Sequence, residues 1–275
     1  MTVAERRAAL EGIAAEVRVC SRCRLHETRT KAVPGEGNPD TEVIFVGEAP
    51  GMNEDREGRP FVGRAGGLLV DLLGHIGWRR DDVFITNVVK CRPPGNRDPE
   101  PDEIAACAPY LERQLAALDP SVVTTLGRYS MATFMPGVRI TQAHGTTRLV
   151  NPATGARDAT VFAMYHPAYA LRNPAVERES YEDMERLPAV LIAARERRAS
   201  VAAATTEAPA AATEAPGTAT SSGTASTQGP AVAPGPPQAP ASAPNTPTDD
   251  IPSDAAIAAH DAASDRTDTD QLTLF

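Results

Sequence analysis

No stretch of this 275-residue chain is apolar for long enough to cross a membrane as a helix, and residues 1–10 lack the apolar core of a secretory signal. Both absences point to the cytoplasm and away from a membrane partner. Cysteine is scarce too: the chain has four, Cys20, Cys23, Cys91 and Cys107, and none is left over. Where thiols stay reduced, a Cys-x-x-Cys pair and two later cysteines speak against disulfides and for four soft thiolates around one metal centre. Large apolar side chains are almost missing from residues 199–270, where Ala, Thr, Pro, Ser and Gly take over. Such a segment cannot bury enough surface to offset the entropy of ordering it, so it is expected to be a disordered linker behind a folded domain of residues 1–198.

The formal net charge of -9 belongs mostly to that linker and the few residues after it. Of 27 basic and 36 acidic residues, one basic and nine acidic lie beyond residue 199. The foldable region is close to neutral, and its cations are nearly all arginine, which suits bidentate phosphate contacts. Overall acidity therefore does not exclude a nucleic-acid partner.

Two hydrophobic periods alternate along the foldable region. Residues 4–17 read as a helix, and residues 65–76 as another, with Leu68, Leu69, Leu72 and Leu73 as its buried stripe. A third helix is expected over 101–118 behind the start signal Asp98-Pro99, and a long charged one over 175–198. Between them lie apolar runs of strand type at 42–47 (EVIFVG), 83–89 (VFITNVV), 121–126 (SVVTTL) and 160–165 (TVFAMY). Strands apolar on both faces and separated by helices indicate an α/β fold with a mostly parallel sheet covered on two sides. Ligands in such folds sit beyond the carboxyl ends of the strands. The residues there are Gly47-Glu48-Ala49-Pro50-Gly51 with Glu54 and Asp55 following, then Asn87, then His166 through Arg172. One edge of the sheet thus collects Glu, Asn, His and Arg, the composition of an active-site rim.

The segments GEAPGMNEDREGRPFVGRAGGLL, TNVVKCRPPGNRDP and HPAYALRNP, with the early Cys-x-x-Cys, resemble the family 4 uracil-DNA glycosylases, the iron-sulfur branch of their superfamily. The likeness covers roughly residues 17–195. It implies a three-layer α/β/α domain around a four-stranded central sheet, a 4Fe-4S cluster, and hydrolytic removal of uracil from double- or single-stranded DNA. Four cysteines alone would suit tetrahedral zinc as well. Zinc ribbons usually show two close knuckles, whereas Cys91 and Cys107 are well apart, and the resemblance favours the cluster, with Cys20, Cys23, Cys91 and Cys107 as its ligands.

An enzyme acting on a base must flip it from the stack, grip its Watson–Crick edge and pack its face on a ring. The uracil site suggested by the motifs is Gly47, Glu48, Ala49, Phe61, Asn87 and His166. By residue type alone Phe61 is a core phenylalanine; its flanking motif makes it the stacking ring. Asn87 can donate to O4 and accept from N3–H, a pattern that cytosine mismatches. His166 is the candidate donor to uracil O2 as negative charge develops there. For the attacking water two carboxylates stand open, Glu48 and Glu54, with Asp55 beside the latter. The aspartate that follows the motif's Gln in family 1 enzymes is replaced here by Ala49. No lysine suggests a Schiff base, so a monofunctional glycosylase without lyase activity is expected. The extra histidine-bearing loop of covalent uracil-trapping relatives is missing after Phe61.

Leu171 and Arg172 could enter the gap left by a flipped nucleotide and touch its phosphates, or simply begin the last helix. A damaged-DNA-binding module or an electron-transfer protein would leave the rim of Glu48, Asn87 and His166 unexplained. The final residues, Gln271, Leu272, Thr273, Leu274 and Phe275, resemble the QLxLF peptide that docks bacterial proteins on the sliding clamp. Leu272, Leu274 and Phe275 are large apolar groups at the end of a polar linker whose r.m.s. reach is about 45 Å. The catalytic unit is expected to be a monomer.

Overall fold

The computed structural model describes residues 1–150 and 154–207. The expected linker beyond residue 207 and the clamp-like peptide at 271–275 lie outside the described residues. A six-stranded sheet forms the centre: β1 (Glu36–Gly37), β2 (Val43–Gly47), β3 (Phe84–Asn87), β4 (Val122–Leu126), β5 (Thr147–Leu149) and β6 (Thr160–Met164). Its order is β1-β3-β2-β4-β6-β5. The four inner strands are parallel, and every one of their residues is buried. Those are the four strands anticipated from apolar runs. The count of four is corrected to six, because short antiparallel strands flank them, β1 on β3 and β5 on β6. Neither has an apolar run to betray it: β1 has two residues, and all three of β5 are exposed.

Among the described residues, eight helices surround the sheet: α1 (Val3–Arg18), α2 (Met52–Glu57), α3 (Arg64–His75), α4 (Pro101–Leu118), α5 (Arg128–Phe134), α6 (Ile140–Ala143), α7 (Pro167–Ala170) and α8 (Pro174–Glu207). Alternate residues of each inner strand feed opposite cores, as the pleat requires. Val43 and Phe45 of β2 join Leu68, Leu69, Leu72 and Leu73 of α3 and Leu187 and Leu191 of α8. Ile44 and Val46 join Val17 of α1 and Leu111 and Leu115 of α4. The result is the expected three layers, with α1 and α4 on one face and α3 and α8 on the other.

The last helix outruns the anticipated end at residue 198, reaching Glu207. Arg195 pairs with Glu42, Arg197 donates to Thr160 Oγ1 at 2.6 Å, and Arg198 donates to Asp119 Oδ1 at 2.8 Å, so the helix is tied to the amino edge of the sheet. The alanines that follow are strong helix formers, so the helix continues past its last anchor. Among the described residues no helix is long and apolar enough to cross a membrane.

The chain runs from β2 to β3 on one side, then crosses to β4 on the other side of β2. That reversal opens a crevice at the carboxyl ends of the central strands, where ligands of such sheets bind.

Candidate active site

The crevice is built around a missing side chain. Gly47 ends β2 in register with Asn87, which ends β3. A Cβ on Gly47 would collide with Asn87 Oδ1 and would lie 2.7 Å from Phe61 Cζ. The bare glycine therefore lets an amide and an aromatic ring converge on one spot. Asn87 is 1% exposed, and its Oδ1 is buried with no hydrogen-bond partner among the described residues. A buried acceptor left unpaired costs free energy and is a mark of a site awaiting a donor.

Phe61 sits in the left-handed region with φ of 50°, a conformation that costs a phenylalanine about 1 kcal/mol or more. Contacts on both sides enforce it. Arg80 donates to Phe61 O at 3.0 Å and also to Pro60 O. Arg80 is itself held by Glu36 Oε1 at 2.9 Å, and Arg59 grips the same carboxylate with two 2.8 Å bonds. Burial pushes the Glu36 carboxyl up, but the hydrogen bonds from Arg59 and Arg80 outweigh it, and its pKa lies below the ordinary value. On the other side Glu54 Oε1 accepts the N–H groups of Val62 and Gly63, both at 2.9 Å. Gly66 leaves room for the Phe61 carbonyl, which any Cβ there would strike.

His166 follows β6 and opens α7. Its Nδ1 accepts the N–H of Ala168 at 3.1 Å, so the proton of the neutral ring resides on Nε2, the nitrogen that can then act as a donor. The imidazole faces Phe61 with centroids 5.8 Å apart and planes 29° from parallel. Gly127, at the end of β4 with φ of 89°, permits this approach: a Cβ there would lie 2.9 Å from His166 Cβ. The preceding residue, Tyr165, packs on His144, whose Nδ1 pairs with the buried Asp183 at 2.9 Å.

The carboxylates separate by environment. Glu48, directly after Gly47, is 7% exposed. Glu54 is occupied at the Phe61 loop, as described. Asp55 is buried, and its two oxygens accept the Thr30 N–H at 2.9 and 3.0 Å. On the flank of Glu48, the Tyr129 hydroxyl donates to Asp98 Oδ2 at 2.6 Å, where Arg128 also donates at 2.9 Å. Burial, the Asp98 hydrogen bond and the nearby charges of Asp98 and Glu48 push the Tyr129 phenol well up, while Arg128 opposes them. Ala49 is half-buried against the α1–α4 core. Leu171 caps α7 and is half-buried against the α3–α8 core, while Arg172 beside it is exposed. Sequence reasoning missed Gly127, Arg80 and Glu36, which carry no local signal because each acts on a residue distant in the chain.

The four cysteines also meet. Cys20 and Cys23 lie just past α1, Cys91 follows β3 and Cys107 is on α4, and together they line one pocket of about 290 Å³, open mouth included. Arg29 Nη1 donates to Cys91 Sγ at 3.0 Å, and the Lys90 backbone N–H reaches Cys107 Sγ at 3.3 Å. Burial raises the thiols of Cys23, Cys91 and Cys107, the last to about 11, whereas Arg29 pulls Cys91 part of the way back. Buried thiols with N–H donors aimed at sulfur fit a bound cation that would hold them as thiolates. Among the described residues no three His, Cys, Asp or Glu side chains converge on a single-ion position.

A doubly covered, mostly parallel sheet with an open crevice at the carboxyl ends of its central strands defines an α/β protein whose crevice lies at a topological switch point. Residues 34–186 match the family described as the uracil DNA glycosylase superfamily. The type-4 uracil-DNA glycosylase of Sulfurisphaera tokodaii is 50% identical over 184 residues, 65% of this chain and 83% of that protein. The type-4 enzyme of Saccharolobus solfataricus is 48% identical over 186 residues, 66% and 86% of the two chains, and that of Archaeoglobus fulgidus 44% over 184 residues, 65% and 91%. This chain belongs to the type-4 family of the uracil DNA glycosylase superfamily.

Proposed function

We propose that the chain is a monofunctional uracil-DNA glycosylase that hydrolyses the N-glycosidic bond of uracil in DNA and leaves an abasic site, the opening step of base excision repair. The observation that carries this reading is the unpartnered Asn87 Oδ1 beside the Phe61 ring, over a glycine that keeps their meeting point open. A flipped uracil stacks on Phe61 while Asn87 accepts from N3–H and donates to O4. Cytosine offers an acceptor and a donor in those places and is refused.

As the bond to C1′ lengthens, charge develops on uracil O2, and His166 Nε2–H donates to it. Glu48 takes the proton of the attacking water, whose oxygen bonds to C1′ while the electron pair of the broken bond leaves with the base. Of the two carboxylates that the sequence left open, Glu48 is the one assigned to the water, because it directly follows Gly47 at the end of β2 and is buried at the crevice, whereas Glu54 accepts the Val62 and Gly63 amides and acts by holding the Phe61 loop. The chain has two lysines, and the Lys90 ammonium already donates to three acceptors, which supports hydrolysis without lyase chemistry.

Cys20, Cys23, Cys91 and Cys107 would hold a 4Fe-4S cluster, and its contribution there is structural, joining α1, the segment after β3 and α4. A single zinc is the poorer fit, because Cys91 and Cys107 are too far apart in the sequence to form the second close knuckle that zinc ribbons usually show. The cytoplasm is the setting where such thiolates persist. Leu171 and Arg172 sit beside the rim where a wedge and a phosphate contact are needed, and Leu171→Ala should slow excision more from duplex than from single-stranded DNA. Residues 271–275 are assigned to a sliding clamp, carried by a monomeric enzyme.

The reading is tested with a uracil-containing oligonucleotide, cluster-loaded protein and His166→Ala. Uracil release that falls roughly 100-fold or more in the variant, at unchanged thermal stability, supports it. No release from loaded wild-type protein sinks it.

A further inference from the structure

Lys90 has no role in the chemistry above, yet it is among the most completely buried large side chains of the protein, 1% exposed. Its ammonium donates to Thr86 Oγ1 at 2.6 Å, to the main-chain oxygen of Asn87 at 2.6 Å and to Gln114 Oε1 at 2.8 Å. All three of its donors are thus used. Gln114, on α4, passes the restraint on by donating Nε2 to Pro34 O at 2.6 Å, and Thr86 Oγ1 reaches the same oxygen at 3.1 Å. At its other end the Lys90 backbone borders the cysteine pocket through Cys107 Sγ, and its carbonyl accepts the Val33 N–H at 2.7 Å.

Burying an ammonium is costly, and well-packed apolar side chains commonly stabilise a core as much or more. The gain from this lysine is therefore one of position. Two of its three acceptors belong to Thr86 and Asn87, consecutive residues at the carboxyl end of β3. Fixing them fixes the direction in which the Asn87 Cα–Cβ bond enters the crevice. An amide that separates uracil from cytosine by donor and acceptor order must be aimed within a narrow angle, since a bent or lengthened bond forfeits most of its discrimination.

We propose that Lys90 is a positioning residue for base recognition, a three-pronged internal brace that holds Asn87 at the angle at which its amide meets the uracil edge. The proposal rests on the assignment of Asn87 as the base reader. It also makes the cysteine pocket and the base pocket mechanical neighbours, because one residue borders both.

The test is a double-mutant cycle on the full-length, cluster-loaded enzyme, with Lys90→Met, Asn87→Ala and the double variant compared in single-turnover uracil release. Iron per chain, melting temperature and affinity for an abasic duplex are measured alongside. Loss of charge-assisted bonds to Asn87 should slow the Lys90→Met enzyme by roughly tenfold. In the Asn87→Ala background the same change should cost nothing further, and duplex affinity should hold. An equal loss in both backgrounds, or none in either, overturns the proposal. Should Lys90→Met fail to fold, Thr86→Val removes one acceptor and leaves the lysine, and it is judged by the same cycle: a loss of a few-fold that vanishes without Asn87 supports the brace, and a loss independent of Asn87 overturns it. Wild-type enzyme that releases no uracil, or Asn87→Ala that releases it at full rate, would refute the underlying reading and the proposal with it, a result distinct from failure of the cycle.

Discussion

The crevice proposed as the base pocket and the cysteine pocket flank the same end of β3, and they are prepared in different ways. The base pocket is complete in the polypeptide itself. Phe61 is forced into an unfavourable backbone conformation by Arg80 and Glu54, and Gly47, Gly66 and Gly127 clear the space in which Phe61, Asn87 and His166 meet. The cysteine pocket is prepared only in part by the chain: burial raises the thiols of Cys23, Cys91 and Cys107, so their charged forms depend on a cation. Preorganisation serves a site that must favour a transition state, since fixed groups need no reordering at the moment of reaction. A structural metal site can instead draw its order from the metal.

The sharpest break in that contrast is Gly47→Ala. Over-packing a close-fitting site costs about 1–3 kcal/mol, so excision should fall roughly 10- to 100-fold while the iron content of the protein is unchanged. Full activity in this variant would mean that the gap at Gly47 is not where the base sits. The converse change, Cys107→Ser, should lower the melting temperature by several degrees and reduce bound iron, because α4 loses its link to Cys20 and Cys23. An equal melting temperature with and without iron would show the cysteine pocket to be as complete as the base pocket.

A smaller effect is expected from Arg80→Ala, which leaves Phe61 strained but held only through Glu54; excision should fall roughly tenfold. The support beneath it is pH-dependent. The folded-state pKa of Glu36 lies below its ordinary value of 4.5, so its stabilisation is present above that value and is lost as pH falls through the folded one. The melting-temperature difference between wild type and Glu36→Gln should therefore be full at neutral pH and shrink below about pH 4. A difference that persists undiminished into acid would assign it to packing instead. Least of all should change on deletion of residues 271–275: uracil release from a naked oligonucleotide should stay the same while binding to the sliding clamp is lost.

Much of the fold is legible in the chain because the inner strands are buried on both faces and so read as continuous apolar runs. The helix expected at 101–118 is the helix observed, Pro101–Leu118. Strand ends overshoot, since the apolar run 83–89 continues past the ladder, which stops at Asn87. The edge strands and the short helices α2, α5, α6 and α7 escape notice because pairing and packing, not local sequence, stabilise them. At the site, Gly47, Phe61, Asn87 and His166 are readable from motifs at strand ends. Glu54 is not readable in its role, because an acid after a glycine suits a general base and a clamp on backbone amides equally well.

By itself the sequence determined the four buried strands, the helices that cover them, the four cysteines and the residue types along the carboxyl rim, because apolar periodicity and side-chain chemistry are properties of the chain. Only the tertiary structure decided that Glu54 is drawn to the Val62 and Gly63 amides, what holds Phe61 in place and where the buried Lys90 ammonium finds its acceptors. Those depend on distances between residues far apart in the chain, such as Lys90 at Gln114 or Arg80 at the Phe61 carbonyl, and such distances exist only after the layers have packed.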